Sequence, residues 1–268
     1  MRQPARRASQ VGASLVELMI AVAIGLIVIL AAVALYLGGA RTLRVQDEAS
    51  RLDDSGRFAL ESITRLIRVA GYVNWPGDTG AAPVRLGVAD TPAVEGADGA
   101  SSDRITLRFF GSTQGAAADG AIVDCLGVPV PRDGNPATRT EDVLSVSTAG
   151  ALLCQATGMS SPQPLIDGVE RLQFLYGLDL DGDGRPERWL RAAEVTNWRA
   201  VRAVRVALLM ASATSTRNDA DSAVYELFGT GYSVSGDGAL LDTRTLSAAE
   251  RRRLRRVYSA VVAVRNGG

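Results

Sequence analysis

From Leu18 to Ala40 the chain runs for 23 residues without a charge, and no other feature limits its folding so strongly. At ~1.5 Å of rise per residue, about 20 apolar residues cover the core of a bilayer, so the run can cross a membrane as a helix. Immediately before it stands Glu17, and before that a basic leader containing Arg2, Arg6 and Arg7. An ionised carboxylate in hydrocarbon is costly unless paired, which makes Glu17 a functional candidate by default. The plainer alternative places Glu17 at headgroup level, at the end of the helix. A secretory signal peptide is a third reading, but its apolar core is only ~7–15 residues long and its small-residue cleavage site lies behind that core. Here the core is longer, the small residue Gly12 precedes it, and a patterned helix follows. These features describe an anchor that is kept.

The order basic leader, Gly12, Ala13, Glu17 and spanning helix resembles the prepilin start of the type IV pilin family. The resemblance implies cleavage after Gly12 by a prepilin peptidase and N-methylation of the new amino terminus at Ala13, where the family usually carries Phe. It also implies that Glu17 of an incoming subunit meets the amine of a neighbour and so sets register during assembly.

Composition removes most enzyme classes. The chain has no His, and all 29 of its basic residues are Arg. The commonest general base, the commonest zinc ligand and the Schiff-base amine are therefore missing together. Paired carboxylates remain as catalytic material. Without its leader the chain has 26 Arg against 29 acidic residues, which gives no general drive towards nucleic acid.

Past Gly38-Gly39, where a bend is expected, Val45, Ala49, Leu52, Gly56, Ala59, Ile63, Leu66 and Ala70 recur at spacings of four and three. They make one narrow apolar stripe on a helix. Asp47–Arg51 and Glu61–Arg65 are supporting acid-before-base pairs, and Gly71 supplies the stop. The spacing predicts a helix from Ser14 to Ala70, ~85 Å long, half in the membrane and half serving as the spine of a soluble domain. Residues 72–102, with the turn Trp75-Pro76-Gly77, read as an irregular connection. Strands are expected at 105–109, 121–125, 143–147 with 151–155, 169–176, 201–210 and 257–264. A short helix is expected at 191–198, and Ser247 to Glu250 form a capping-box pattern. Hairpin-length links indicate an antiparallel sheet packed on the helix, hence an α+β domain.

Cys125 and Cys154 are the only cysteines. In an oxidising periplasm an even count reads as one disulfide, contributing roughly 3.5 kcal/mol through closure of its loop; two free buried thiols are the alternative. Asp179, Asp181, Asp183 and Glu187 alternate with Gly182 and Gly184 in a pattern suited to Ca2+. Leu190 stands where an EF-hand requires its bidentate Glu, so the choice lies between a non-EF calcium loop and a tight Asp-Gly hairpin. The run Arg251-Arg252-Arg253-Leu254-Arg255-Arg256 reads as a solvated edge or strand lead-in before it reads as a nucleic-acid patch.

Several stretches resemble the PilW family of minor type IV pilins: Arg57-Phe58-Ala59-Leu60, Ala70-Gly71-Tyr72, Asp124-Cys125-Leu126-Gly127, Leu175-Tyr176-Gly177, Val195-Thr196-Asn197-Trp198, Ala203 to Leu209, and Arg255-Arg256-Val257-Tyr258. The resemblance implies a type IV pilin-like fold with four parts: a cleaved leader (1–12), a membrane and assembly helix (13–40), an amphipathic spine (41–71) and a periplasmic β-rich domain (72–268). It implies a non-enzymatic minor pilin that primes pilus assembly in support of twitching or adhesion. The resemblance further implies processing by the prepilin peptidase and work alongside other minor pilins, the major pilin and the inner-membrane assembly platform. No cofactor beyond the possible Ca2+ and no nucleic acid are expected. A minor pseudopilin of a type II secretion system is the alternative within the superfamily, and a membrane-anchored periplasmic hydrolase is the alternative from another class.

Overall fold

The computed structural model describes residues 14–73, 91–114, 117–131, 139–230, 232 and 238–266. Gly12, Ala13 and the Trp75-Pro76-Gly77 turn lie outside them. The protein is one long N-terminal helix followed by antiparallel sheets, and it divides into two compact units, Met1–Asp47 and Glu48–Gly268.

The first unit holds the apolar part of helix α1 (Leu15–Val69), which continues through Gly38-Gly39. This part is long and apolar enough to cross a membrane, and its most apolar window buries none of its surface against the protein. Apolar side chains without a protein partner need lipid or another chain around them.

In the second unit α1 ends at Gly71. There φ is +78°, a value L side chains avoid, and a Cβ would collide with the backbone of Asn266. The Gly71 N–H bonds the Arg108 carbonyl at 2.8 Å, carrying the chain from the helix into the sheet region. The strands are β1 (Val94–Ala97), β2 (Arg104–Phe109), β3 (Thr113–Gln114), β4 (Ala117–Ala118), β5 (Thr140–Val146), β6 (Ala151–Ala156) and β7 (Gln163–Asp167). They continue with β8 (Val169–Leu178), β9 (Arg188–Leu190), β10 (Val201–Ser215), β11 (Val224–Glu226), β12 (Leu240–Asp242) and β13 (Arg253–Ala263).

Two principal sheets form where one was expected: β1-β2-β5-β6-β7 and β13-β10-β8-β9. The switch between them is a single-residue link, Gly168, joining β7 to β8. Along β10 the residues Val204, Val206, Leu208 and Met210 are fully buried and share one core with Leu52, Ala59, Ile63, Leu66 and Ala70 of α1 and with Ile105, Leu144 and Leu152 of the five-stranded sheet. A second cluster, built on Leu175, Ala207 and Leu209, uses the opposite face of β8 and β10 and is covered by Leu227, Phe228 and Leu241 from the β11–β12 region.

Three local expectations change. Residues 121–125 form a turn with one isolated bridge, Val123 to Pro129, because the Asp124 carboxylate takes the N–H groups of Leu126 and Val128 at 2.8 and 2.9 Å and folds the chain back. Within the connection read as irregular, Val94–Ala97 is an edge strand on β2. In place of a helix at 191–198 there are two 3-10 turns, Ala192–Glu194 and Trp198–Ala200. At Ser247 the capping box is realised: the Ser247 N–H donates to Glu250 and the Glu250 N–H to the Ser247 hydroxyl.

Candidate functional site

At the start of α1 the Glu17 N–H donates to the Ser14 hydroxyl at 3.2 Å, and the Leu18 N–H donates to the Ser14 carbonyl at 3.1 Å. Ser14 is thus the N-cap and Glu17 stands in the first turn, where a helix dipole favours negative charge. Sequence reading passed over Ser14, although Ser14-Leu15-Val16-Glu17 has the Ser-x-x-Glu spacing of a capping box. The groups Glu17 was expected to work with, the cleavage site Gly12 and the amine at Ala13, lie outside the described residues.

The acidic loop joins β8 to β9 as a hairpin closed by a bond from the Glu187 N–H to the Leu178 carbonyl at 3.0 Å. It brings together all four carboxylates singled out from the sequence: one ligand oxygen from each of Asp179, Asp181, Asp183 and Glu187 lies within 4.8 Å of the others. Calcium–oxygen distances of ~2.3–2.6 Å permit that spread. The loop also closes itself. Asp179 accepts the N–H groups of Gly182 and Gly184 at 2.7 and 3.0 Å and pairs with Arg202 at 3.3 Å. Burial pushes the Asp179 carboxyl up, but those two N–H groups and the Arg202 guanidinium together outweigh it and hold the pKa below its ordinary value. Asp181 takes the Asp183 N–H, Asp183 takes the Arg185 N–H, and Glu187 takes the Leu180 N–H. Among the described residues this acidic cluster has the spacing to hold a cation.

The arginine run is engaged by the chain itself. Arg255 forms a two-point pair with Glu170 at 2.7 and 3.0 Å, and Arg256 pairs with Asp53 of α1. Arg251 donates to the Asp221 carbonyl, and Arg253 to the carbonyls of Ser212 and Ala211. Four of the five guanidiniums of the run are thus held by acceptors of the chain itself. Cys125 and Cys154 form a disulfide with their Cα atoms 6.1 Å apart, tying the 123–129 turn to β6.

Residues 135–266 match the family model described as PilW, Type IV Pilus-assembly protein W. The matched stretch contains every strand from β5 to β13. No curated protein matches the chain. Among solved structures, the chain is similar to a type IV-like pilin from Thermus thermophilus, at 20% sequence identity and a TM-score of 0.47, over 81% of this chain and 96% of that one. Over residues 135–266 the chain is thus similar to the PilW family of type IV pilus-assembly proteins.

Proposed function

We propose that this protein is a minor pilin that primes type IV pilus assembly and takes part in it without catalysing a reaction. The observation that carries the reading is the PilW match over residues 135–266 downstream of an exposed apolar helix opened by Ser14 and Glu17. In this reading the leader is removed after Gly12 and Ala13 is methylated. The helix holds the chain in the inner membrane, and the β-rich unit faces the periplasm. Glu17 then leaves its place at the helix mouth to pair with the amine of a neighbouring subunit, since a carboxylate entering a fibre of apolar helices needs a cation beside it. Its partners are other minor pilins, the major pilin, the prepilin peptidase and the assembly platform.

The test is a deletion strain complemented with wild type or with Glu17→Val. Deletion should leave few surface pili, wild type should restore them, and Glu17→Val should be made and processed without restoring them. Normal piliation without the protein refutes the reading. Loss of exoprotein release with pili intact transfers it to type II secretion. Mass spectrometry of the membrane-extracted chain should find a methylated Ala13 as its first residue.

For the β8–β9 loop the gathered carboxylates favour a second property, Ca2+ binding by Asp179, Asp181, Asp183 and Glu187. Calorimetric titration with Ca2+ should give a saturable signal that Asp181→Asn/Asp183→Asn abolishes, and a flat titration of the wild type rejects the property.

A further inference from the structure

Asp142, on β5, exposes none of its surface. Its Oδ2 accepts the Cys125 N–H at 2.8 Å, while Oδ1 meets no donor among the described residues. Asp103, another deeply buried carboxylate, accepts N–H bonds on both of its oxygens. A buried ionised carboxylate needs every lone pair answered, because each unanswered one keeps its full desolvation cost. Two charges face Asp142, and they act in opposite directions. Asp124 in the 123–129 turn repels it, and Arg65 of α1 is the opposing cation. Burial first and Asp124 second push the Asp142 carboxyl up to about 7, against the pull of the Cys125 N–H and Arg65.

The turn that Asp142 holds is otherwise built from its own residues. Asp124 takes the N–H groups of Leu126 and Val128, and Val123 bridges Pro129. At Cys125 it is tied to the five-stranded sheet by the disulfide to Cys154 and by the Cys125 N–H bond to Asp142. One tie is covalent and indifferent to pH. The other depends on the charge of a side chain that water does not reach.

We propose that Asp142 is a proton-operated latch on the 123–129 turn: the neutral acid seats the Cys125 amide in a dry site, and the ionised form repels Asp124, draws in water and lets the turn swing on its disulfide tether. The device makes the surface around Val128, which is 56% exposed, better ordered in acidic than in alkaline surroundings.

Hydrogen exchange read by mass spectrometry on the full chain in detergent micelles tests the latch. After correction for intrinsic base catalysis, protection of the amides of Cys125 to Val128 should fall about tenfold between about pH 5.5 and about pH 8.5, beyond any change in β10. Asp142→Asn, which keeps an oxygen for the Cys125 N–H and carries no charge, should show flat protection. Should that variant misfold, Asp124→Asn, which retains the turn's acceptor and removes the repulsion, should shrink the change. Equal protection of the wild type at both pH values overturns the latch. So does a fall that persists in Asp142→Asn, or one shared equally with β10 and β13.

Discussion

Asp103 is 3% exposed and accepts the N–H groups of Gly99 and Phe174 at 3.0 and 2.9 Å. Burial dominates over those bonds and raises its carboxyl from 3.8 to about 7. The folded chain therefore holds a proton that the unfolded chain has released by about pH 5. The contribution of Asp103 is complete below the unfolded pKa and is lost as pH climbs through the folded one. Thermal unfolding of the wild type should show Tm falling between about pH 4 and about pH 7.5, with Asp103 and Asp142 each contributing on the order of a few kcal/mol to the slope. Asp103→Asn should flatten its share, and an unchanged slope would remove Asp103 from the account. None of this was legible in the sequence. Asp103 is buried by strands whose contact residue Phe174 lies 71 positions downstream, and local pattern carries no information at that range. Ser14 is the opposite case, since its spacing to Glu17 was visible throughout.

At the scale of elements, the crossing of α1 over β13 is set by a small residue. Gly56 leaves room for the Tyr258 ring, which a Cβ there would strike. The Tyr258 hydroxyl donates to Asp53 at 2.6 Å, one turn back along the helix. Gly56→Ala should destabilise the protein by about 1–3 kcal/mol by overpacking, although helix propensity alone favours Ala by ~1 kcal/mol. Circular dichroism melts of the two proteins decide between these terms. Leu52, Ala59, Ile63, Leu66 and Ala70 announced the buried stripe by their period, and β10 announced its inner face by alternation. The strands that escaped notice, β1, β3, β4, β7, β11 and β12, are five residues or shorter, too brief for a period of two to rise above chance. The false strand at 121–125 had the right alternation, but Asp124 bonds its own backbone more readily than a neighbour's.

For the whole molecule, the disulfide closes a span of 29 residues between a surface turn and the five-stranded sheet. Replacing both cysteines by Ser should cost about 2–4 kcal/mol in denaturant unfolding. Reduction of the wild type should match that loss, and a variant as stable as the oxidised protein contradicts it. The α+β class and the family resemblance could be read from the start, because an uncharged run and an ordered set of short motifs are properties of the chain itself. The division into two sheets could not, because it turns on one link, Gly168, that looks like any other turn.

The end of α1 is finished by a residue from the far end of the chain. The Asn266 side chain donates to the carbonyls of Arg68 and Ala70, across 198 and 196 positions of sequence. Asn266 is translated 196 residues after Ala70, so the carbonyls of Arg68 and Ala70 lack this partner until that stretch has emerged. Maturation of this protein is for that reason a ring-closing event. The second unit locks only when Asn266 meets the spine, and chains cut short before Asn266 should leave that last turn frayed.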